Sequence, residues 1–199
     1  MVTANRVSDR DIRAVLLSAL DDRNPGPDAL VVSELPIGLG YVKLDVAVLN
    51  GRLDGYEIKS DLDTLARLGR QMEWYARVCD RLTIVTTKKY LAEVQQAVPS
   101  WCGIVVADVH HGAIALDTTR EAADNPDWDI RALLLMLWQS ETQQLARSYG
   151  LRVPRQLSKG LTHQALAHRL PHDMLRAETL SRLRARKTWT PKQLWRAER

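Results

Sequence analysis

The stretch YVKLDVAVLNGRLDGYEIKS, residues 41–60, sets the architecture of this chain. Asn50-Gly51 is a strong hairpin signal, because both residue types tolerate the positive φ that tight β-turns require. It separates two extended runs, 41–49 and 53–60. In the first, Val42, Leu44, Val46 and Val48 are expected to line one face while Ala47 and Leu49 continue the other. Both faces are then covered except at Lys43 and Asp45. In the second run, period-two alternation turns Glu57 and Lys59 to one face and Ile58 to the other. Three charges, Asp45, Glu57 and Lys59, therefore converge on the centre of a sheet, where a core without a use for them would not place them.

The turn decides whether these charges meet. If Asn50 and Gly51 were the whole loop, Leu49 would pair with Arg52, and Leu44 rather than Asp45 would stand opposite Glu57. One extra residue corrects the phase, either in a three-residue loop or as a bulge at Gly55, and the register expected is the one that sets Asp45 beside Glu57.

Working outward, Ser8 and Asp11 form a capping signal ahead of Ile12, Val15, Leu16, Ala19 and Leu20, an amphipathic helix stopped by Asn24-Pro25-Gly26-Pro27. A strand over 29–35 completes an antiparallel meander with the two runs above. The sequence then predicts a helix over 63–79, a strand over 82–86, a helix over 88–98, and strands over 104–107 and 113–116. His110-His111-Gly112 reads as a polar turn. Past Asn125-Pro126 the pattern is helical, over 129–149, 161–170 and 173–186. The expected fold class is α/β, a mixed β-sheet flanked by helices with an α-β-β-β-α-β core at residues 1–125, followed by a helical, basic C-terminal region at 126–199.

With 199 residues, 45% of them hydrophobic and 26% charged, the chain is not a disordered one. Its longest apolar runs fall well short of the ~20 residues a membrane-spanning helix needs, and the N-terminus does not read as a secretory leader, so no membrane partner and a cytoplasmic location are expected. Cys79 and Cys102 read as small buried hydrophobes, which argues against redox chemistry. His163, His168 and His172 are expected to face solvent. There is no Gly-rich phosphate loop and no serine nucleophile elbow. The net charge of +4 hides an asymmetry: residues 1–127 hold 14 Lys/Arg against 19 Asp/Glu, and residues 128–199 hold 14 against 5. An acidic body suited to cations followed by a basic arm suited to a polyanion points toward nucleic acid, DNA ahead of RNA. Nothing in the sequence points to a homo-oligomer.

The carboxylates Asp45 and Glu57, with the Ile58 carbonyl between Glu57 and Lys59, could hold Mg²⁺, or Mn²⁺, at the ~2.0–2.1 Å that such a hard ion requires, and Lys59 could orient water and support a phosphoryl transition state. By this pattern the sequence resembles the PD-(D/E)XK nuclease superfamily across residues 8–117. The resemblance extends through the helix carrying Arg67, Gln71 and Tyr75. It implies a restriction-endonuclease-like fold, Mg²⁺-dependent hydrolysis of phosphodiester bonds in DNA, catalytic roles for Asp45, Glu57, Lys59 and Gln71, and Glu34 as a further acid at the metal. Residues 137–170 are similar to the SAP-type helix-loop-helix DNA-binding motif. Nucleic-acid contacts are expected from Lys43, Arg67, Arg70, Arg155, Lys159, Arg184, Arg186, Lys187 and Lys192, with Trp189 and Trp195 interleaved for base stacking. The alternative is a noncatalytic nucleic-acid-binding or interaction module that keeps the fold.

Overall fold

The computed structural model describes residues 6–24, 29–152, 154, 157–186 and 189. It is an α/β protein in which six strands form one mixed sheet in the order of the chain: β1 (Leu30–Ile37), β2 (Val42–Leu49), β3 (Leu53–Lys59), β4 (Arg81–Thr86), β5 (Gly103–His110) and β6 (Ala113–Arg120). The first three strands are mutually antiparallel, β3, β4 and β5 run parallel, and β6 returns antiparallel on the far edge. Helices α2 (Leu68–Tyr75) and α3 (Leu91–Ala97) make the two parallel crossovers. Helix α1 (Asp9–Arg23) covers one face with Ile12, Leu16, Leu17 and Leu20 against Val31, Val46, Val48, Ile58 and Val85. The opposite face carries the larger apolar cluster, which runs without a break from the sheet and α2 into the C-terminal helices α4 (Ile130–Leu134), α5 (Gln139–Ser148), α6 (Lys159–Arg169) and α7 (His172–Ala185).

Local chemistry accounts for most element boundaries. Helix α1 starts in a capping box, with the Ser8 side chain accepting from Asp11 N–H and the Asp11 carboxylate accepting from the Ser8 backbone. The β2–β3 hairpin closes through the three-residue loop Asn50-Gly51-Arg52, since Leu49 pairs with Leu53 and Val46 with Tyr56. The ladder ends one rung before Asp45 and Glu57, and Asp45 instead reaches β3 through its side chain, which accepts from Ile58 N–H. Gly55 is not a bulge, however: it sits in regular pairing with Ala47, and a Cβ on it would come within 2.8 Å of Cys79 Sγ and of Leu44 Cδ2. It is required by packing rather than by phase.

Two expectations fail for physical reasons. Alternation along β2 breaks at Asp45, because Val42 and Leu44 join the cluster beneath α2 while Val46 and Val48 join the one beneath α1. The matching residue on β1 is Glu34, which is skipped in the ladder and adopts φ 54°. Both strands thus exchange faces at one level. Secondly, the helices over 63–79 and 129–149 are shorter or broken. Asp61 accepts from Val7 N–H and Thr87 Oγ1, and Asp63 accepts from Ser60 N–H and its hydroxyl, so both acids tie a loop to the body instead of starting a helix. Between α4 and α5, Trp138 is extended and its N–H is taken by Glu141 Oε2 at 2.7 Å, which starts a new helix.

Two other residues lie deeper than expected. His163, at 4% exposure, meets Thr142 Oγ1 at 3.1 Å between α6 and α5, and burial, with Lys159 nearby, pushes its pKa down to about 4. Trp189 is buried in the main cluster and donates to the Leu183 carbonyl, so it packs rather than stacks on bases. Cys79 and Cys102 are buried free thiols.

The glycines offer a paired stability test. Gly55→Ala should lower stability by about 1–3 kcal/mol through overpacking. Gly69→Ala, on α2 with open space around it, should raise stability by up to about 1 kcal/mol. Urea unfolding midpoints at constant m-value check both signs.

Candidate functional site: a closed charge cluster under a basic rim

The exchange of faces at Glu34 and Asp45 parts the end of β2 from β3, and a cavity of about 450 Å³ opens there. Its lining includes Tyr41, Lys43, Asp45, Glu57, Lys59 and Gln71. Glu57 and Lys59 are 2% and 3% exposed, and Lys59 Nζ lies 2.7 Å from Glu57 Oε1. Helix α2 supplies the rest of this pair's coordination. Gln71 Nε2 donates to Glu57 Oε1 at 2.6 Å, Gln71 Oε1 accepts from Lys59 at 2.9 Å, and the Tyr75 hydroxyl donates to Glu57 Oε2 at 2.7 Å. The same hydroxyl lies 2.6 Å from the Lys43 carbonyl.

Asp45 is held from the other side. Its Oδ2 accepts from Ile58 N–H at 2.8 Å, and its Oδ1 accepts from Arg13 Nη2 at 2.7 Å, while Arg13 Nη1 donates to the Asp45 carbonyl. Arg13 also pairs with Asp9 and, at 3.4 Å, with Glu34. Half-burial works against its charge, but the hydrogen bonds and fields of Asp9 and Asp45 more than offset that and hold its pKa above the usual value. Burial, with Asp45 nearby, pushes the Glu57 carboxyl up to about 7, against the opposing effect of Lys59. Burial and the Glu57 carboxylate raise the Tyr75 phenol, which stays protonated as a donor.

The structure thus brings together Asp45, Glu57, Lys59 and Gln71, with the Ile58 backbone between the carboxylates and Glu34 outside, nearly half exposed. Sequence reasoning missed Arg13 and the role of Tyr75. Arg13 lies on a helix 32 residues from Asp45, and only its position four residues after Asp9 marked it as a charged helix face. All four oxygens of Asp45 and Glu57 are engaged by donors of the protein. Among the described residues no three His, Cys, Asp or Glu side chains are grouped so that they could hold a metal ion.

The expected nucleic-acid contacts divide. Lys43 is exposed and reaches Glu34 at 3.9 Å, and Arg67 and Arg70 are exposed on the cavity rim with no ion pair among the described residues. Arg184 is exposed. Arg186 is not at the surface: it donates to both oxygens of Glu141 and to the Met136 carbonyl, with its guanidinium over the Trp138 and Trp189 rings. Lys159 donates to the Leu135 carbonyl, closing α6 onto α4. Arg155, Lys187, Lys192 and Trp195 lie outside the described residues. No helix among the described residues is long and apolar enough to cross a membrane.

The geometry defines a mixed-sheet α/β protein whose central charges are neutralised internally. Over residues 3–199 the chain matches the family model described as Bacteriophage P4 protein cII, and it belongs to that family. It is 24% identical over 183 residues to Protein cII of Enterobacteria phage P4, covering 92% of this chain and 69% of that relative. No solved structure matches the chain. Membership corrects the resemblance to PD-(D/E)XK nucleases and to the SAP-type motif, since one family accounts for both regions. The expected activity, a DNA endonuclease or other phosphodiester hydrolase, is corrected with it. In the structure the residues of the D…ExK spacing form a hydrogen-bonded ion-pair network.

That network has a pH signature. The Glu57 pKa is raised, so its contribution to stability is fully present below its ordinary value of 4.5 and is lost as pH rises through about 7. Glu57→Gln should flatten that decline. Lys59→Met leaves the buried carboxylate without its cation and should destabilise by about 3–5 kcal/mol at pH 8, whereas the double substitution should recover most of the loss. Urea unfolding of the four proteins between pH 5 and 8 measures both effects.

Proposed function

We propose that this cII-family protein binds nucleic acid, with DNA as its partner, through electrostatic contacts and without hydrolysing it. The observation that carries this reading is the charge division, 14 Lys/Arg against 5 Asp/Glu in residues 128–199 beside 14 against 19 in residues 1–127. Several of the C-terminal cations are committed inside the fold: Arg176 to Asp80, Arg182 to Glu178 and Arg186 to Glu141. Others face solvent. Arg147 and Arg152 flank a shallow concavity of about 620 Å³ with Gly150, Leu151 and Pro154, and Arg131 and Arg169 are exposed on the same helical region. Cations in this state release counterions when phosphates replace solvent, and that release supplies most of the affinity of sequence-independent binding.

Fluorescence anisotropy with a labelled 20-base-pair duplex across a salt series tests the reading. Affinity should fall linearly on a log–log plot against salt. Arg147→Gln with Arg152→Gln should make the slope shallower by up to about 0.9 for each phosphate no longer neutralised. The labelled duplex should remain intact in Mg²⁺. No binding at low salt, or a slope indifferent to those arginines, would overturn the proposed surface.

A further inference from the structure

The rim of the charge-cluster cavity carries an aromatic platform that the fold does not need. Between β1 and β2, Gly38, Leu39 and Gly40 all have positive φ, at 60°, 63° and 90°. For Leu39 this is a strained conformation, of the kind that collects at ligand-binding positions. The turn delivers Tyr41 to the surface, 63% exposed, with its ring stacked on Trp74 of α2 at 5.8 Å between centroids and 23° between planes. Trp74 is fixed from two sides. Gly38 lies so close that a Cβ there would be 2.5 Å from Trp74 Cε3, and the Arg77 guanidinium lies 5.2 Å from the ring centroid.

The charges beside this stack are asymmetric. Arg67 and Arg70 line the same cavity as Tyr41, are exposed, and have no ion pair among the described residues. Of the carboxylates that line the cavity, Asp9, Glu34 and Asp45 share Arg13, Glu34 also reaches Lys43, Glu57 pairs with Lys59, and Asp63 accepts from Ser60; Glu73, beside Trp74 in the chain, is exposed and does not line it. An open aromatic face next to two uncommitted guanidinium groups matches a base with its flanking phosphates. A duplex keeps its bases stacked inside and offers no face to Tyr41.

We propose that Tyr41, backed by Trp74 and flanked by Arg67 and Arg70, is a seat for an unpaired nucleobase of single-stranded nucleic acid. The proposal rests on the nucleic-acid-binding reading above and assigns it a second contact surface, on the sheet side of the molecule. The test uses the full chain and anisotropy of fluorescein-labelled (dT)12, (rU)12 and a 12-base-pair duplex. Tyr41→Ala should weaken binding of the single strands about tenfold and leave the duplex unchanged, while Tyr41→Phe, which keeps the ring, stays within about twofold of the parent. Arg67→Gln and Arg70→Gln should each make the single-strand salt slope shallower by about 0.7. Because Tyr41 is largely exposed, an unchanged urea midpoint will show that its variants fold. If (dT)12 and (rU)12 bind the parent and Tyr41→Ala equally well, or if only the duplex binds, the seat is wrong and the binding reading stands. If no nucleic acid binds the parent, both fall.

Discussion

The buried pair Glu57–Lys59 is the constraint around which the sheet and two helices are arranged. Taking a carboxylate and an ammonium out of water costs several kcal/mol per ion, and one contact at 2.7 Å does not compensate unless the remaining donors and acceptors are also met. Gln71 and Tyr75 meet them, which sets how α2 lies on the sheet. Because the Tyr75 hydroxyl also lies 2.6 Å from the Lys43 carbonyl, the end of β2 is held where it has left β3. Asp45 imposes the same demand on the opposite side, and Arg13 answers it from α1. Four elements are therefore placed by the needs of three charges.

The helical region shows the same economy with its cations. Arg176 reaches Asp80, whose other oxygen accepts from Leu53 N–H, so α7 is pinned to the start of β3. Arg186 joins the end of α7 to the α4–α5 break through Glu141 and Met136. Formal charge and available charge are therefore different quantities. An excess of arginine in the sequence marks a binding surface only after the residues committed to packing have been set aside, and in this chain the set-aside ones include Arg186, which lies among aromatic rings.

Features that depend on residue type and spacing were legible in the sequence. The capping box at Ser8, the convergence of Asp45, Glu57 and Lys59, and the register that joins them all follow from local chemistry and a count of loop residues. The exchange of faces at Asp45 was not legible, because it turns on a positive φ at Glu34, a residue type that does not announce one. Nor was the late start of the helix after Lys59: Asp61 and Asp63 look like helix caps, and only tertiary neighbours such as Val7 and Thr87 show that Asp61 serves the loop. The burial of His163 and Trp189 was hidden for the same reason, since contacts between distant helices leave no periodic trace in either one.

The resemblance to a nuclease, which family membership corrects, rests on register. A D…ExK spacing specifies a register, and a register specifies which side chains share a space. It does not specify what completes that space. In the structure Asp45, Glu57 and Lys59 are joined by Arg13, Gln71 and Tyr75 into one network, in which each oxygen of Asp45 and Glu57 accepts from at least one donor of the protein. Arg13 lies outside the motif and on another element. It meets Asp45 inside the fold, whereas Arg67 and Arg70 stand on the cavity rim with Tyr41. The cations without an ion pair among the described residues at this cavity therefore stand on its rim and not in its interior.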